Sequence, residues 1–172
     1  FNTTVIKAVE RYAQNELSGA TEVSLRIIGK KANQHFARRN AHITSYDPAP
    51  VGATALALAR DTANRVVADF LAGKVDRVYL AFNEFKHAGS QVVKVGQLLP
   101  VIPEEQAEVA HGQTLIDYTY EPDKQVLLDR LVPLYVEIQL YRAMLESIAA
   151  FFGIQMMAME SATKNAGEMI NR

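Results

Sequence analysis

The sequence predicts an α/β fold followed by one long helix. Three observations carry this. Short helical and strand-like segments alternate through the first hundred or so residues. Helical patterns rather than tight turns separate the first strand candidates, which is how a parallel sheet is built. The last forty or so residues then follow a coiled-coil rhythm, two apolar positions in every seven.

The 172 residues suffice for one domain, or one domain with an appendage, and for a self-supporting core. Hydrophobic residues make up 49% and charged residues 22%, as in ordinary globular proteins. Lys and Arg number 18 against 19 Asp and Glu, a formal charge of -1. That balance argues against nucleic acid as the main partner, because phosphate binding requires an excess of cations. There is no cysteine, so disulfides, thiol nucleophiles and thiolate metal sites are excluded. No apolar run is long enough to span a bilayer. Phe1-Asn2-Thr3-Thr4 lacks the basic and apolar regions of a signal peptide. It reads as the start of a helix within a longer pattern.

The elements follow in order. Thr3 to Leu17 is a helix, with Val5, Ile6, Val9 and Tyr12 at helical spacing and a stop at Ser18-Gly19. Val23 to Gly29 alternates and then turns wholly apolar, as a strand entering a core does. Lys30 to Arg39 is a short helix with Ala32, Phe36 and Ala37 inward. His42 to Tyr46 is a second strand, broken by Asp47-Pro48-Ala49-Pro50. Thr54 to Ala72 is an amphipathic helix closed by Gly73, its inner face Leu56, Ala59, Ala63, Val66, Val67 and Phe70. Arg77 to Phe82 and Ser90 to Leu98 are the third and fourth strands. Val101 to Gln113 has little periodicity and reads as an exposed loop. Asp117 to Pro122 reads as a short edge strand.

Pro133 is suited to the first turn of a helix. From there the apolar pattern steps by four and three: Leu134, Ile138, Tyr141, Leu145, Ile148, Phe152, Gln155, Met159, Ala162, Ala166, Met169. Gln155 is its one polar member. A helix from Pro133 to the last residue is about 55 Å long. A domain of this size has a radius of gyration of about 16 Å. The first half of the helix is therefore expected on the sheet and the second half beyond it. Ala158, Ala162, Ala166 and Gly167 would admit a second helix closely, and no other segment here is long enough to be that helix. The competing reading is a frayed end.

Recognisable catalytic patterns are lacking. His35, His42, His87 and His111 show no metal-ligand spacing. There is no Gly-x-Ser-x-Gly elbow, Walker loop or Gly-x-Gly-x-x-Gly. Gly29-Lys30-Lys31 follows a strand and opens a helix, which superficially suits an anion, but it lacks the upstream glycine and following hydroxyl of a phosphate loop. Glu104, Glu105 and Glu108 read as a solvated loop. Tyr118 and Tyr120 share one face of their strand, flanked by Asp117 and Glu121. They can pack inward or form a contact surface, since tyrosine is enriched in interfaces.

Three stretches resemble the gamma subunit of the F-type ATP synthase, the central rotor shaft. They are Met157 to Ile170; Asp117-Tyr118-Thr119-Tyr120-Glu121-Pro122-Asp123 with Leu127-Leu128 and Tyr135-Val136-Glu137; and Ser90-Gln91 with Gln97-Leu98-Leu99-Pro100. Phe1-Asn2 looks like the end of that family's motif Gly-Leu-Cys-Gly-x-[aromatic or Leu]-Asn. The resemblance implies a Rossmann-like alternating helix-strand domain (residues 1–132, the foot) and a long helix (133–172) that forms half of an antiparallel coiled coil. The missing half would be an N-terminal helix. It implies a non-catalytic rotor without a cofactor or metal, coupling rotation of the membrane c ring to ATP synthesis or hydrolysis at the alpha-beta hexamer. Implied partners are the alpha and beta subunits, epsilon and the c ring. The implied place is the cytoplasmic face of a bacterial inner membrane, held there through the ring. It also implies c-ring contact at Tyr118, Tyr120 and Glu121, and a coiled-coil seam at Leu145, Ile148, Phe152, Gln155, Met159, Ala162, Ala166 and Met169.

One stretch departs from that pattern. The family commonly has Ser-Glu-x-x-x-Arg where this chain has Ala150-Phe151-Phe152-Gly153-Ile154-Gln155, so the role of that charged pair does not carry over. Two other readings compete: a doubly wound ligand-binding or enzyme domain using the Gly29-Lys30 turn as an anion site, and a generic coiled-coil adaptor. Binding of ATP or NAD would favour the former. Co-purification with alpha, beta and c subunits distinguishes the rotor from an adaptor.

Overall fold

The computed structural model describes residues 2–101 and 124–170. The chain runs α1 (Asn2–Asn15), β1 (Leu25–Ile28), α2 (Lys30–Arg38), β2 (Ile43–Asp47), α3 (Thr54–Leu71), β3 (Val78–His87), β4 (Ser90–Leu99) and α4 (Lys124–Ile170). The class is the expected one, mixed helix and strand with a long C-terminal helix. The expected loop at Val101–Gln113 and strand at Asp117–Pro122 fall almost wholly outside the described residues.

β1 and β2 pair in parallel, with α2 between them in sequence, as alternation requires. β3 and β4 instead form an antiparallel hairpin, and the two pairs are separate sheets. The third strand is longer than the sequence reading allowed. The sequence reading ends it at Phe82, yet Asn83 and Glu84 continue it, buried at 2% and 6% exposure. They stay in the strand because Ala88 and Gly89 turn the chain back and the ladder runs on to the His87–Ser90 pairing.

Two apolar clusters follow from this layout. The smaller joins Ile6 of α1, Ile27 of β1 and Phe36 of α2. Ala37, expected inward, is exposed, so α2 is held mainly by Phe36 and Ala32. The larger cluster joins Ala59, Ala63, Val66 and Val67 of α3, Leu98 and Leu99 of β4, and Val136, Leu140 and Met144 of α4. α3 buries Ala55, Ala59 and Ala63, spaced by four residues, so that α4 can come close. Leu56 was expected on that face but lies beside it, 42% exposed. Gly73 takes φ +68 after the last turn, and Lys74 N–H reaches Asp69 O at 3.0 Å, the left-handed cap foreseen for it.

α4 starts at Lys124, so Pro133 lies inside it rather than in its first turn. An interior proline removes one helix hydrogen bond and costs about 3 kcal/mol or more. Tertiary burial just beyond it works the other way. Val136 is wholly buried, and burying a side chain of its kind contributes about 1.5–3 kcal/mol. At 47 residues α4 is about 70 Å long.

The far end of the grip is a close approach between the β3–β4 turn and the helix. A Cβ at Gly153 would lie 3.1 Å from Phe85 Cε2 and 3.3 Å from Ala88 Cα. Gly153→Leu should therefore push the hairpin tip away, costing about 1–3 kcal/mol despite leucine's better helix propensity. Hydrogen exchange should accelerate at residues 85–91, and unchanged protection there would refute the contact. Leu140→Ala should instead lower global stability by about 2–5 kcal/mol in denaturant unfolding.

Candidate functional site: an open seam on a clasped helix

α4 carries two apolar stripes. Val136, Leu140, Ala143, Met144 and Ala150 make the inner stripe, all buried against the rest of the chain. The outer stripe is the seam read from the sequence, and the structure leaves it largely open. Leu145 is 42% exposed, Phe152 60%, Met159 57% and Met169 73%. Gln155, Ala162 and Ala166 are exposed and Ile148 is half-buried. Further back on the same stripe Leu134 and Ile138 are also open, at 49% and 52%. Between Ile138 and Leu145, however, Tyr141 of the same stripe is half-buried against the main core cluster, so along the clasped part the stripe is only partly open.

Beyond Ile154 every described residue of α4 is exposed except Gly167. An exposed apolar stripe of this kind marks an interaction surface more often than bare solvent contact. Seven of the eight seam residues are apolar, which a frayed polar tail would not require. Phe151 and Phe152 meet edge to face with ring centroids 5.4 Å apart, at the level where the helix leaves the domain.

Charged groups fasten the clasped segment. Glu84, on β3, receives Lys86 Nζ at 2.8 Å and Lys94 Nζ at 2.6 Å, and Arg142 of α4 stands 3.9 Å away. Arg142 Nε also bonds Glu146 Oε1 at 2.6 Å, one turn along α4. The Lys86 hydrogen bond, then that of Lys94, holds the Glu84 carboxyl below the usual glutamate range. Arg60 of α3 reaches Glu137 of α4 at 3.0 Å. Sequence reading missed this fastening because it ended β3 at Phe82. The available signal was the Ala88-Gly89 turn between two runs of strand-forming residues.

The other sites considered from the sequence do not assemble. Among the described residues no three acidic or histidine side chains could hold a metal ion. His35 pairs with Glu10 at 2.9 Å and His42 with Glu22 at 2.5 Å. The Gly29 N–H, which an anion at the start of α2 would want, already donates to Asp47 O at 2.9 Å. Tyr118, Tyr120 and Glu121 lie outside the described residues.

Fold and seam together define a class: an α/β head that clasps a long helix by one face and leaves an apolar stripe of the other exposed. Comparison with known proteins narrows the class. The family model described as ATP synthase matches residues 1–172, and the chain belongs to that family. It is 40% identical over 172 residues to an ATP synthase gamma chain of Geotalea uraniireducens (strain Rf4), covering 100% of this chain and 58% of the relative. It is 42% identical over 175 residues to the ATP synthase gamma chain of Anaeromyxobacter sp. (strain K), covering 99% of this chain and again 58% of the relative. The chain thus spans somewhat over half the length of these relatives. Its fold is similar to a chain in the cryo-EM structure of the Tetrahymena thermophila mitochondrial ATP synthase central stalk and c-ring. The TM-score is 0.70 at 24% identity, over 94% of this chain and 69% of that one. At that identity the likeness is one of fold.

Glu84 yields a pH test. Its pKa is depressed in the folded state, so its stabilisation is present above the ordinary glutamate value and is lost as pH falls through the lower, folded value. Melting temperature should fall as pH drops below about 4.5. Glu84→Gln should flatten part of that fall while lowering stability near neutrality. Equal acid sensitivity in both proteins would show that the Glu84 cluster contributes nothing.

Proposed function

We propose that this chain is part of the rotor, the central stalk, of an F-type ATP synthase. It couples ion-driven rotation of the c ring to ATP synthesis or hydrolysis at the alpha-beta hexamer, and is itself non-catalytic. The observation that carries this reading is the open seam on a helix whose opposite face is anchored, in a chain whose family relatives are gamma chains.

The mechanism is mechanical. A lone helix bends under torque, whereas two helices with interdigitated side chains share the load. In this reading residues 1–132 are the foot and 133–172 the shaft. The seam at Leu145, Ile148, Phe152, Gln155, Met159, Ala162, Ala166 and Met169 takes the partner helix of an antiparallel coiled coil. Torque enters through foot residues Tyr118, Tyr120 and Glu121 on the c ring. It crosses the α3–α4 core and the hairpin clasp and leaves along α4 toward the alpha and beta subunits. The epsilon subunit sits beside the foot. Among the described residues no helix is long and apolar enough to cross a membrane. We place the chain on the cytoplasmic face of a bacterial inner membrane, held through the ring.

Two outcomes are expected in the assembled complex. Ile148→Asp with Met159→Asp places two charges in the seam and should abolish ATP-driven ion pumping, while Lys164→Gln, off the seam, should not. Normal pumping by the double variant would sink the coiled-coil assignment. Tyr118→Glu with Tyr120→Glu should release the catalytic part from washed membranes more readily. Unchanged retention would reject the c-ring contact.

A further inference from the structure

α2 has a charge pattern that neither the core nor the seam explains. Its nine residues, Lys30–Arg38, contain Lys30, Lys31, His35 and Arg38 and no carboxylate, and Arg39 follows as its C-cap. His35 and Arg38 in the last turn suit the negative end of the helix dipole. Lys30 and Lys31 do not suit their position. They lie in the first turn, where the dipole is positive and favours anions, and no acidic residue accompanies them there.

The chain as a whole carries a net charge of -1, so this cluster is a local excess. Glu10 of α1 answers part of it, with Oε1 2.9 Å from His35 Nε2 and 2.6 Å from Arg39 Nη1. Among the described residues Lys30, Lys31 and Arg38 are in no ion pair, and all three are exposed. Lys31, Gln34, His35, Arg38 and Arg39 line a shallow depression of about 480 Å³.

We infer that the outer face of α2 is a docking surface for an acidic peptide segment of a companion protein. Three features select that partner. The depression is shallow and open and lies between side chains of one helix and its cap, which leaves room for a single protruding side chain. The exposed positions of α2 carry no large apolar group, so the helix has nothing to insert among acyl chains. Glu10 shows that a carboxylate fits between these side chains, and an arginine guanidinium can take a further one in two parallel hydrogen bonds. A carboxylate near Lys30 and Lys31 would also relieve their misfit with the dipole. The inference rests on α2 alone and stands apart from the rotor assignment.

The test is a titration of the full chain with a fluorescently labelled peptide of alternating Asp and Glu at low ionic strength. The expected result is saturable binding that weakens about tenfold or more in Lys31→Glu/Arg38→Glu and is screened by added salt. Lys31→Gln/Arg38→Gln should show an intermediate loss, with an unchanged circular dichroism melt confirming the fold. The control Arg77→Glu/Arg130→Glu makes the same charge change elsewhere and should bind nearly as well as the parent. Equal weakening in that control would reduce the effect to net charge and overturn the proposal. So would no binding, or patch-dependent binding only to phosphatidylserine vesicles.

Discussion

The structure depends on one constraint: a helix of about 70 Å is held by contacts along one stripe of part of its length. What makes this feasible is the alanine column of α3. Ala55 and Ala59 are wholly buried and Ala63 nearly so, which lets the α4 backbone approach until Val136 is itself fully buried. Larger residues in that column would hold the helices apart and forfeit the dispersion contacts of Val136, Leu140 and Met144. The hairpin depends on the same approach, since β4 contributes Leu98 and Leu99 to the cluster that seats the helix.

The clasp combines two kinds of contact that hold the helix differently. The apolar cluster fixes distance but resists sliding and rotation mainly through side-chain shape. Arg60 of α3 donates to Glu137, a directional contact that opposes rotation of α4 about its own axis, while Arg142 stands 3.9 Å from Glu84 of the hairpin, an attraction without a hydrogen bond. Arg60 and Arg142 are more than half exposed, so neither pair adds much to stability by itself. Their value lies in orientation. By fixing which stripe faces inward, they fix which stripe faces out. Buried Asn83 Oδ1 and Gln91 Oε1 lack hydrogen-bond partners, and nothing in the clasp accounts for them.

Much of this was legible because the relevant signals are periodic. The four-three spacing from Leu134 to Met169 specifies one stripe of a helix whatever it packs on, and in the structure most of that stripe is exposed while Tyr141 packs on the core. Gly73 announced the end of α3 because its left-handed conformation is costly for any other residue. The failures are also physical. Leu56 is more hydrophobic than Ala55, so composition placed it inward. The inward position went to the smaller residue because close helix packing was the deciding requirement. Glu84 lies beyond the Phe82 end given to the strand; burial of a carboxylate is costly, and the lysine partners that offset it come from two strands whose pairing is not visible in sequence. Pro133 read as a helix start because local propensity is blind to the packing that carries a helix through a proline.

The point where the helix leaves the head follows from the same geometry. Gly153 is where the hairpin turn comes closest to the helix, and Met157 Cε still lies near Gly89. Past that level no described part of the chain shields α4. Among the described residues the buried ones of α4 run from Val136 to Ala150, and every one past Ile154 except Gly167 is exposed. Phe151 and Phe152 stand at this boundary, edge to face, and Phe151 and Gln155 occupy the positions where the resemblance would have placed a charged pair. Phe152 belongs to the open seam, so a partner helix would bury it first among the residues at this edge. The two rings are 45% and 60% exposed, so much of their surface at this junction still faces solvent. In the proposed rotor, packing of a partner helix over Phe152 is what would carry force across the edge of the head.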